Sequence, residues 1–316
     1  MTIKGDKMLN KQLKTILLAK KDQFTDILGQ DKAKQDMKSA LLMNRHVIIV
    51  GPPGIGKTTL AKNVAKLLTD NKFVRIQGSP DLTVEDLLGD IDPIKAMEFG
   101  PLSLKAFTKG KIFKADKGVL FFDEINRCPE KLQNALLQVL EEGKATIGSY
   151  DVDFDIDFIF IGTMNPEDSS TEKMSDVLLD RFDLVYMGYP ESIEIENEIV
   201  IKKGEKADVD FPEKLLHTAV YFVRLLRDDE KLSKKPSVRA SIGLYERAQS
   251  NALLKGKKAV SFEDIEEAVI SVLSHRIELK PSAKYLQSPK DFVKEKFEKF
   301  IEAQGEELEA ESRDSL

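Results

Sequence analysis

The chain has one cysteine, no tryptophan and only three histidines in 316 residues. A single thiol, Cys128, excludes an intramolecular disulfide framework and agrees with a reducing compartment. His46, His217 and His275 are isolated and not spaced as metal ligands, so each is expected to be structural or at the surface. Long apolar runs are missing as well. VIIV and FIFI fall far short of the roughly 20 residues that span a bilayer, and the start, MTIKGDKMLNKQLK, lacks the apolar segment of a secretory signal. Nor is there an excess of positive charge: 48 Lys and Arg against 54 Asp and Glu give a formal net charge of −6. The chain as a whole therefore has no basic footprint for duplex nucleic acid. What remains is the profile of a soluble cytoplasmic protein, 41% hydrophobic and 32% charged, long enough for about two domains.

Residues 1–21 hold a short amphipathic helix, with Leu9, Leu13, Ile16 and Leu17 at helical spacing. From 22 to 190 strands alternate with helices. RHVIIVGPPG reads as a buried strand entering a glycine loop, KTTLAKNVAKLL as the helix after it, and FVRIQGS (73–79) and GVLFFDE (118–124) as further strands. PEKLQNALLQVLEE places Leu132, Ala135, Leu136, Val139 and Leu140 on one helical face, with Pro129 suited to the first turn and Gly143 to the end. In KATIGSYDVDFDIDFIFIGT, Val152, Phe154, Ile156 and Phe158 alternate with Asp151, Asp153, Asp155 and Asp157. That is a hairpin around Gly148 and Ser149 with one wet face, running into a buried strand. The wet face accounts for the four aspartates without a metal. Strand–helix alternation predicts a parallel, doubly wound α/β domain. Residues 191–279 read as helical only, a small all-α bundle, and 280–316 as a further helix with an acidic, partly disordered tail.

GPPGIGKT, residues 51–58, fits G-x-x-x-x-G-K-[ST] between a predicted strand and a predicted helix. Gly51, Gly54 and Gly56 let the backbone curl so that its N–H groups face phosphate oxygens, with a helix N-terminus behind them. Lys57 is suited to neutralise β- and γ-phosphate charge and Thr58 to ligate Mg2+. Gly51, Pro52, Pro53, Gly54, Ile55, Gly56, Lys57, Thr58 and Thr59 are together expected to hold ATP. GVLFFDE supplies the acids that such a site needs: Asp123 for the metal, and Glu124 beside it to polarise an attacking water. In GTMNP, Asn165 ends the strand that lies next to the one carrying Asp123. An amide there can orient the lytic water, although Asn-Pro is also ordinary turn chemistry.

LLDRFDL, residues 178–184, allows two readings. It is either an amphipathic helix whose Arg181 pairs with Asp180 or Asp183, or a segment that holds Arg181 toward an anion the chain does not supply. With GPPGIGKT, VLFFDEINRCPEKLQNALLQVLEEGKATIG, GTMNPED and KPSVRAS, it resembles the AAA+ ATPases of the branch that holds the MoxR proteins and the ATPase subunit of magnesium chelatase. The resemblance covers residues 22–279, and DEINR favours MoxR. It implies a P-loop core with a parallel sheet plus a small α-helical lid at 191–279, and inserts near 90–111 and 144–158. It also implies that Arg181, oriented by Asp180, reaches a neighbour's γ-phosphate, that Arg239 is a lid arginine serving the nucleotide in cis or in trans, and that Gly29 and Gln30 line the adenine pocket. The expectation is an ATP- and Mg2+-dependent homo-oligomeric ring, with a hexamer favoured. It would remodel a protein client or insert a metal or cofactor, with a von Willebrand A-domain protein as implied partner. The runner-up is the motor subunit of a magnesium chelatase. A nucleic-acid motor using Lys95, Lys105, Lys109 and Lys111, and a scaffold that binds ATP without turnover, are further alternatives.

Overall fold

A computed structural model describes residues 8–68, 70–101, 103–147, 152–166, 174 and 176–314. The chain divides into two compact units, one of Met1–Pro52 with Gly56–Gly188, the other of Pro53–Ile55 with Tyr189–Leu316. The first unit begins with helices α1 (Met8–Leu17) and α2 (Asp31–Leu42). Its centre is a sheet of β1 (His46–Val50), β2 (Phe73–Gln77), β3 (Val119–Asp123), β4 (Ile159–Met164) and β5 (Phe182–Tyr186). The order is β2-β3-β4-β1-β5, and all four ladders are parallel. Val47–Val50, Val119–Phe122 and Ile159–Thr163 are buried throughout, as central parallel strands covered on both faces must be. Helices α3 (Lys57–Lys66) and α4 (Glu130–Glu142) follow β1 and β3. Leu132, Leu136 and Val139 of α4 join Phe122, Phe160 and Phe182 in one core, and Gly143, at φ 64°, ends the helix.

Two antiparallel ribbons branch from this unit. Gly89–Ile91 pairs with Phe107–Lys109, and between them lies the short helix Pro93–Phe99, none of whose residues is buried. Lys144–Ile147 pairs with Val152–Asp155. Asp153 and Asp155 are exposed, and among the described residues no group of three or more His, Cys, Asp and Glu is placed to hold a metal. The turn expected at Gly148–Ser149 lies outside the described residues, as does the side chain of Asp151.

The second unit contains α5 (Ile193–Lys203), α6 (Glu213–Asp228), α7 (Val238–Leu254), α8 (Phe262–Leu273) and α9 (Pro289–Asp314). It is not helical only: Leu232–Lys234 and Glu278–Leu279 form a small antiparallel ribbon, too short to show a periodicity. Helix α9 continues through residues that read as acidic tail, where Glu, Ala and Leu are good helix formers despite their charge. No helix among the described residues is long and apolar enough to cross a membrane.

A buried ionic cluster ties this unit together. Glu196, fully buried, accepts from Arg227 Nη1 (2.8 Å) and Nη2 (2.9 Å), Arg224 Nη1 (3.2 Å) and Ser241 Oγ (2.6 Å). Arg227 also donates to the Pro236 carbonyl (2.9 Å) and stacks on Tyr189. Burial pushes the Glu196 carboxyl up, but Arg227, then Ser241 and Arg224, outweigh it and hold the group below its ordinary 4.5. A depressed folded-state pKa stabilises above the unfolded value and loses that contribution as pH falls through the folded one. Glu196→Ala strands two guanidinium groups and is expected to cost about 3–5 kcal/mol in urea unfolding. Glu196→Gln should flatten the stability loss below pH 4.5.

Candidate active site

β1 ends at Val50, and residues 51–56 turn the chain into α3, which starts at Lys57. Gly54 (φ 75°) and Gly56 (φ 101°) take left-handed backbone that a side chain resists. A Cβ on Gly56 would also press on Ile27 Cδ1 at 3.3 Å. No side chain caps α3, so the first-turn N–H groups, from Lys57 to Thr59, are left for an anion rather than taken by a Ser or Asp. Lys57 Nζ donates to the carbonyls of Gly51 (2.5 Å) and Pro52 (3.1 Å), folding its charge over the loop. Thr58 and Thr59 are half-buried in that first turn.

Register brings the acids to the same sheet edge. Gly51 N–H donates to Met164 O (3.1 Å), and β4 pairs with β3 up to Gly162 and Phe122. The carboxyl ends of β1, β4 and β3 therefore lie side by side, where open parallel sheets bind ligands. Thr163, fully buried, donates its hydroxyl to Asp123 Oδ1 (2.6 Å) and accepts from Glu124 N–H (2.9 Å). Glu124 adopts φ 55°, a conformation costly for a non-glycine residue and characteristic of functional turns. Gly78 makes room for it, since a Cβ there would sit 2.1 Å from Glu124 O. Strand β2 adds two side chains on one face. Arg75 Nη2 donates to Asp123 Oδ2 (2.6 Å) and Gln77 Oε1 (3.0 Å), and Gln77 Nε2 donates to Glu124 Oε2 (2.9 Å). Arg127 Nη1 lies 3.4 Å from the same Glu124 oxygen. Sequence reasoning missed Thr163, Arg75 and Gln77. The signal for the first was a hydroxyl inside an apolar strand, which must find a partner when buried. For the other two it was period 2 in FVRIQ, which puts both side chains on one face.

This donor set fits a nucleotide with a divalent cation. The Thr58 hydroxyl and Asp123 carboxylate are hard oxygen donors, while Lys57 and the uncapped helix end suit phosphate. Asn165 follows β4 directly, and its carbonyl accepts from Asn126 Nδ2 (3.4 Å). Gly29 and Gln30 both adopt left-handed backbone, at φ 61° and 59°. The Gln30 amide is committed to the chain: Nε2 donates to Gly188 O (2.8 Å) and Oε1 accepts from Gly188 N–H (3.4 Å). It thus pins the start of α2 to the end of β5, and Ile27 just before it faces the loop glycine.

Arg181 stands apart from these residues. LLDRFDL is not one helix: a short helix, Asp176–Leu179, ends before Arg181, and Phe182 begins β5. Phe182 pairs with His46, at the amino end of β1, whereas the phosphate loop begins at its carboxyl end. Five residues at about 3.3 Å each separate the two edges by roughly 16 Å, further than an arginine side chain spans. The carboxylate on Arg181 is not Asp180 or Asp183. Nε donates to Glu141 Oε1 on α4 (2.6 Å), Nη2 donates to the same oxygen, and Nη1 donates to Val177 O (2.6 Å). Asp183 instead pairs with Arg45, just before the neighbouring strand (2.9 Å). The Arg181 side chain is about one-third exposed (31%).

Arg239 is exposed in the first turn of α7, in the second unit. Burial, and then the Arg239 charge, push the Arg276 guanidinium below its ordinary value. His46 accepts from Phe160 N–H (3.2 Å), a structural role at the start of β1. Cys128 is fully buried and its carbonyl accepts from Gln133 Nε2 (3.0 Å).

Comparison with known proteins agrees with this architecture. Residues 46–182 match the AAA domain (dynein-related subfamily), and residues 229–295 match the AAA lid domain. The chain is 30% identical over 271 residues to the uncharacterized protein YeaC of Bacillus subtilis, covering 78% of this chain and 82% of that one. It is 30% identical over 294 residues to the chaperone MoxR1 of Mycobacterium tuberculosis, covering 80% and 73%. It is 27% identical over 326 residues to the chloroplastic magnesium-chelatase subunit ChlI of Glycine max, covering 82% of this chain and 75% of that one. A RuvB variant of Thermotoga maritima shares the fold, with a TM-score of 0.55 at 20% identity over 79% of this chain and 72% of that one. The chain belongs to the AAA+ ATPases, in the branch that holds MoxR and ChlI.

Proposed function

We propose that this ATPase works as a homo-oligomeric ring, with a hexamer favoured, that hydrolyses Mg2+-bound ATP to act on a protein partner. The observation that carries this reading is the position of Arg181. It lies at the amino edge of the sheet while Lys57, Thr58, Asp123 and Glu124 lie at the carboxyl edge, so its guanidinium can meet a phosphate only on another subunit. In this reading Gly51–Thr59 cradle the phosphates, Thr58 and Asp123 hold the metal, Glu124 takes the proton of the attacking water, and Asn165 orients that water. The metal supplies charge neutralisation at the β- and γ-phosphates. Arg181 completes a neighbour's site. Arg239 serves the nucleotide from the lid, and Gly29–Gln30 flank the base through the turn they hold.

A protein partner is supported by the ribbon-borne helix Pro93–Phe99, where Ile94 is 78% and Met97 91% exposed. A nucleic-acid partner has less support. Lys95 lies against Asp92, and Lys105 and Lys109 stack on Phe99 and Phe113. The likeness to MoxR1 favours chaperone-like remodelling, with a von Willebrand A-domain protein as first candidate partner. The likeness to ChlI supports a second reading, the ATPase subunit of a magnesium chelatase. Stimulation of ATP turnover by one partner class and not the other separates them.

The direct test of the nucleotide site is equilibrium binding of a fluorescent ATP analogue. Lys57→Ala removes a charge-assisted contact worth about 1.5–3 kcal/mol and should weaken binding roughly 10- to 100-fold. Unchanged affinity would remove Gly51–Thr59 from the role assigned to them.

A further inference from the structure

Arg75 sits on an edge strand, half-exposed (52%), yet points its guanidinium across β3 to the carboxylate read as a metal ligand. The contact is specific. Strand register sets Arg75 opposite Phe121 and Gln77 opposite Asp123, so Arg75 reaches diagonally past its own partner residue to make a 2.6 Å bond to Asp123 Oδ2. Asp123 is only 14% exposed, and its other oxygen is taken by the Thr163 hydroxyl. A carboxylate so shielded from water would be poorly placed as a bare anion, and Arg75 is the cation that compensates it. Resting on the reading of Asp123 as a metal ligand, we propose that Arg75 is an internal competitor for the metal position. It occupies Asp123 when no metal–nucleotide is bound and must release it when one binds.

The exchange has physical consequences. Two cations cannot share one carboxylate oxygen without mutual repulsion, so Arg75 raises the metal concentration needed to load the site and keeps Asp123 neutralised in its absence. Metal-free nucleotide should therefore be tolerated better with Arg75 present than without it, because an uncompensated Asp123 would repel the phosphates. Arg75 thus reduces the degree to which nucleotide binding depends on metal. After release, Gln77 Oε1 still offers its guanidinium a partner on the same strand, which keeps the cost of leaving small.

The test uses the full chain and two readouts. The first is the ratio of nucleotide affinities in Mg2+ and in EDTA. Arg75→Gln is expected to raise this ratio roughly two- to fivefold, the range of a partly exposed ion pair. Arg127→Gln, which removes a cation touching Glu124 but not Asp123, should leave it nearly unchanged. Arg75→Lys, which keeps the charge without the fork, should lie between wild type and Arg75→Gln. The second readout is Mn2+ binding to the nucleotide-free protein, followed by loss of the free-ion EPR signal. Binding should tighten by a similar factor in Arg75→Gln and disappear when Asp123→Asn is added. An unchanged ratio with unchanged Mn2+ affinity, or equal effects of Arg75→Gln and Arg127→Gln, would overturn the proposal. Failure of the nucleotide-site reading looks different: wild type would bind no nucleotide in either condition, while the Mn2+ measurement would still decide whether Arg75 guards Asp123.

Discussion

Glu124→Gln is expected to lower ATP turnover by roughly 10²- to 10⁴-fold, the usual contribution of a positioned general base, while nucleotide stays bound. The amide is nearly isosteric and keeps an oxygen toward Gln77 and Arg127, so the left-handed turn at residue 124 has no reason to relax. What it loses is the capacity to take a proton. Lys57, Thr58 and the uncapped start of α3 lie outside the change, and affinity for ATP should hold within about threefold, roughly 0.6 kcal/mol. A single-turnover experiment with bound ATP separates the two quantities. Slow cleavage with normal binding supports the assignment. Turnover within a few-fold of wild type would assign the base to another residue, and the Gln77 and Arg127 contacts would then be structural only.

Arg181→Ala is expected to lower turnover of the assembled protein by about 10³- to 10⁵-fold, the range for an arginine that stabilises phosphoryl-transfer charge, with nucleotide affinity kept. The geometry makes the prediction sharp. Arg181 cannot meet the loop of its own chain, so it should contribute nothing to binding by an isolated subunit. Glu141 takes Nε and one Nη2 hydrogen, and Val177 O takes one from Nη1. A guanidinium has five N–H groups, so two remain for a phosphate while the group is held in place. Arg181→Lys should rescue little, because an ammonium cannot keep the Glu141 and Val177 contacts and still present two donors.

Much of the candidate site is legible in the sequence because its parts are local. GPPGIGKT between an apolar strand and a helix, and GVLFFDE ending in two acids, need no tertiary information. The fifth strand was not legible, and the reason is visible in its burial. In FDLVY, Phe182 and Val185 are buried while Asp183 and Leu184 are half-buried. A spacing of three between buried residues on an edge strand imitates a helix, which is why an amphipathic helix is one of the two readings that LLDRFDL allows. The resemblance implies that Asp180 orients Arg181, whereas the partner is Glu141, 40 positions earlier. Arg75, Gln77 and Thr163 belong to the site for the same kind of reason: their partners lie 39–48 positions away. Contacts at that range follow from sheet order, and β2 lies beside β3 only because the chain crosses two strands after β1.

In the proposed ring, one active site is built from two copies of the chain. Mixing Arg181→Ala with Lys57→Ala reveals whether such a shared site exists. Each variant alone lacks one half of every site, and both should be nearly inactive. In mixed rings some interfaces join an intact loop from the Arg181→Ala subunit to an intact Arg181 from the Lys57→Ala subunit. Steady-state ATPase measured against mixing ratio should rise from near zero at either end to a maximum near equal proportions. A flat baseline across all ratios, with both variants shown to co-assemble, would contradict the composite site; so would an Arg181→Ala variant that is fully active by itself.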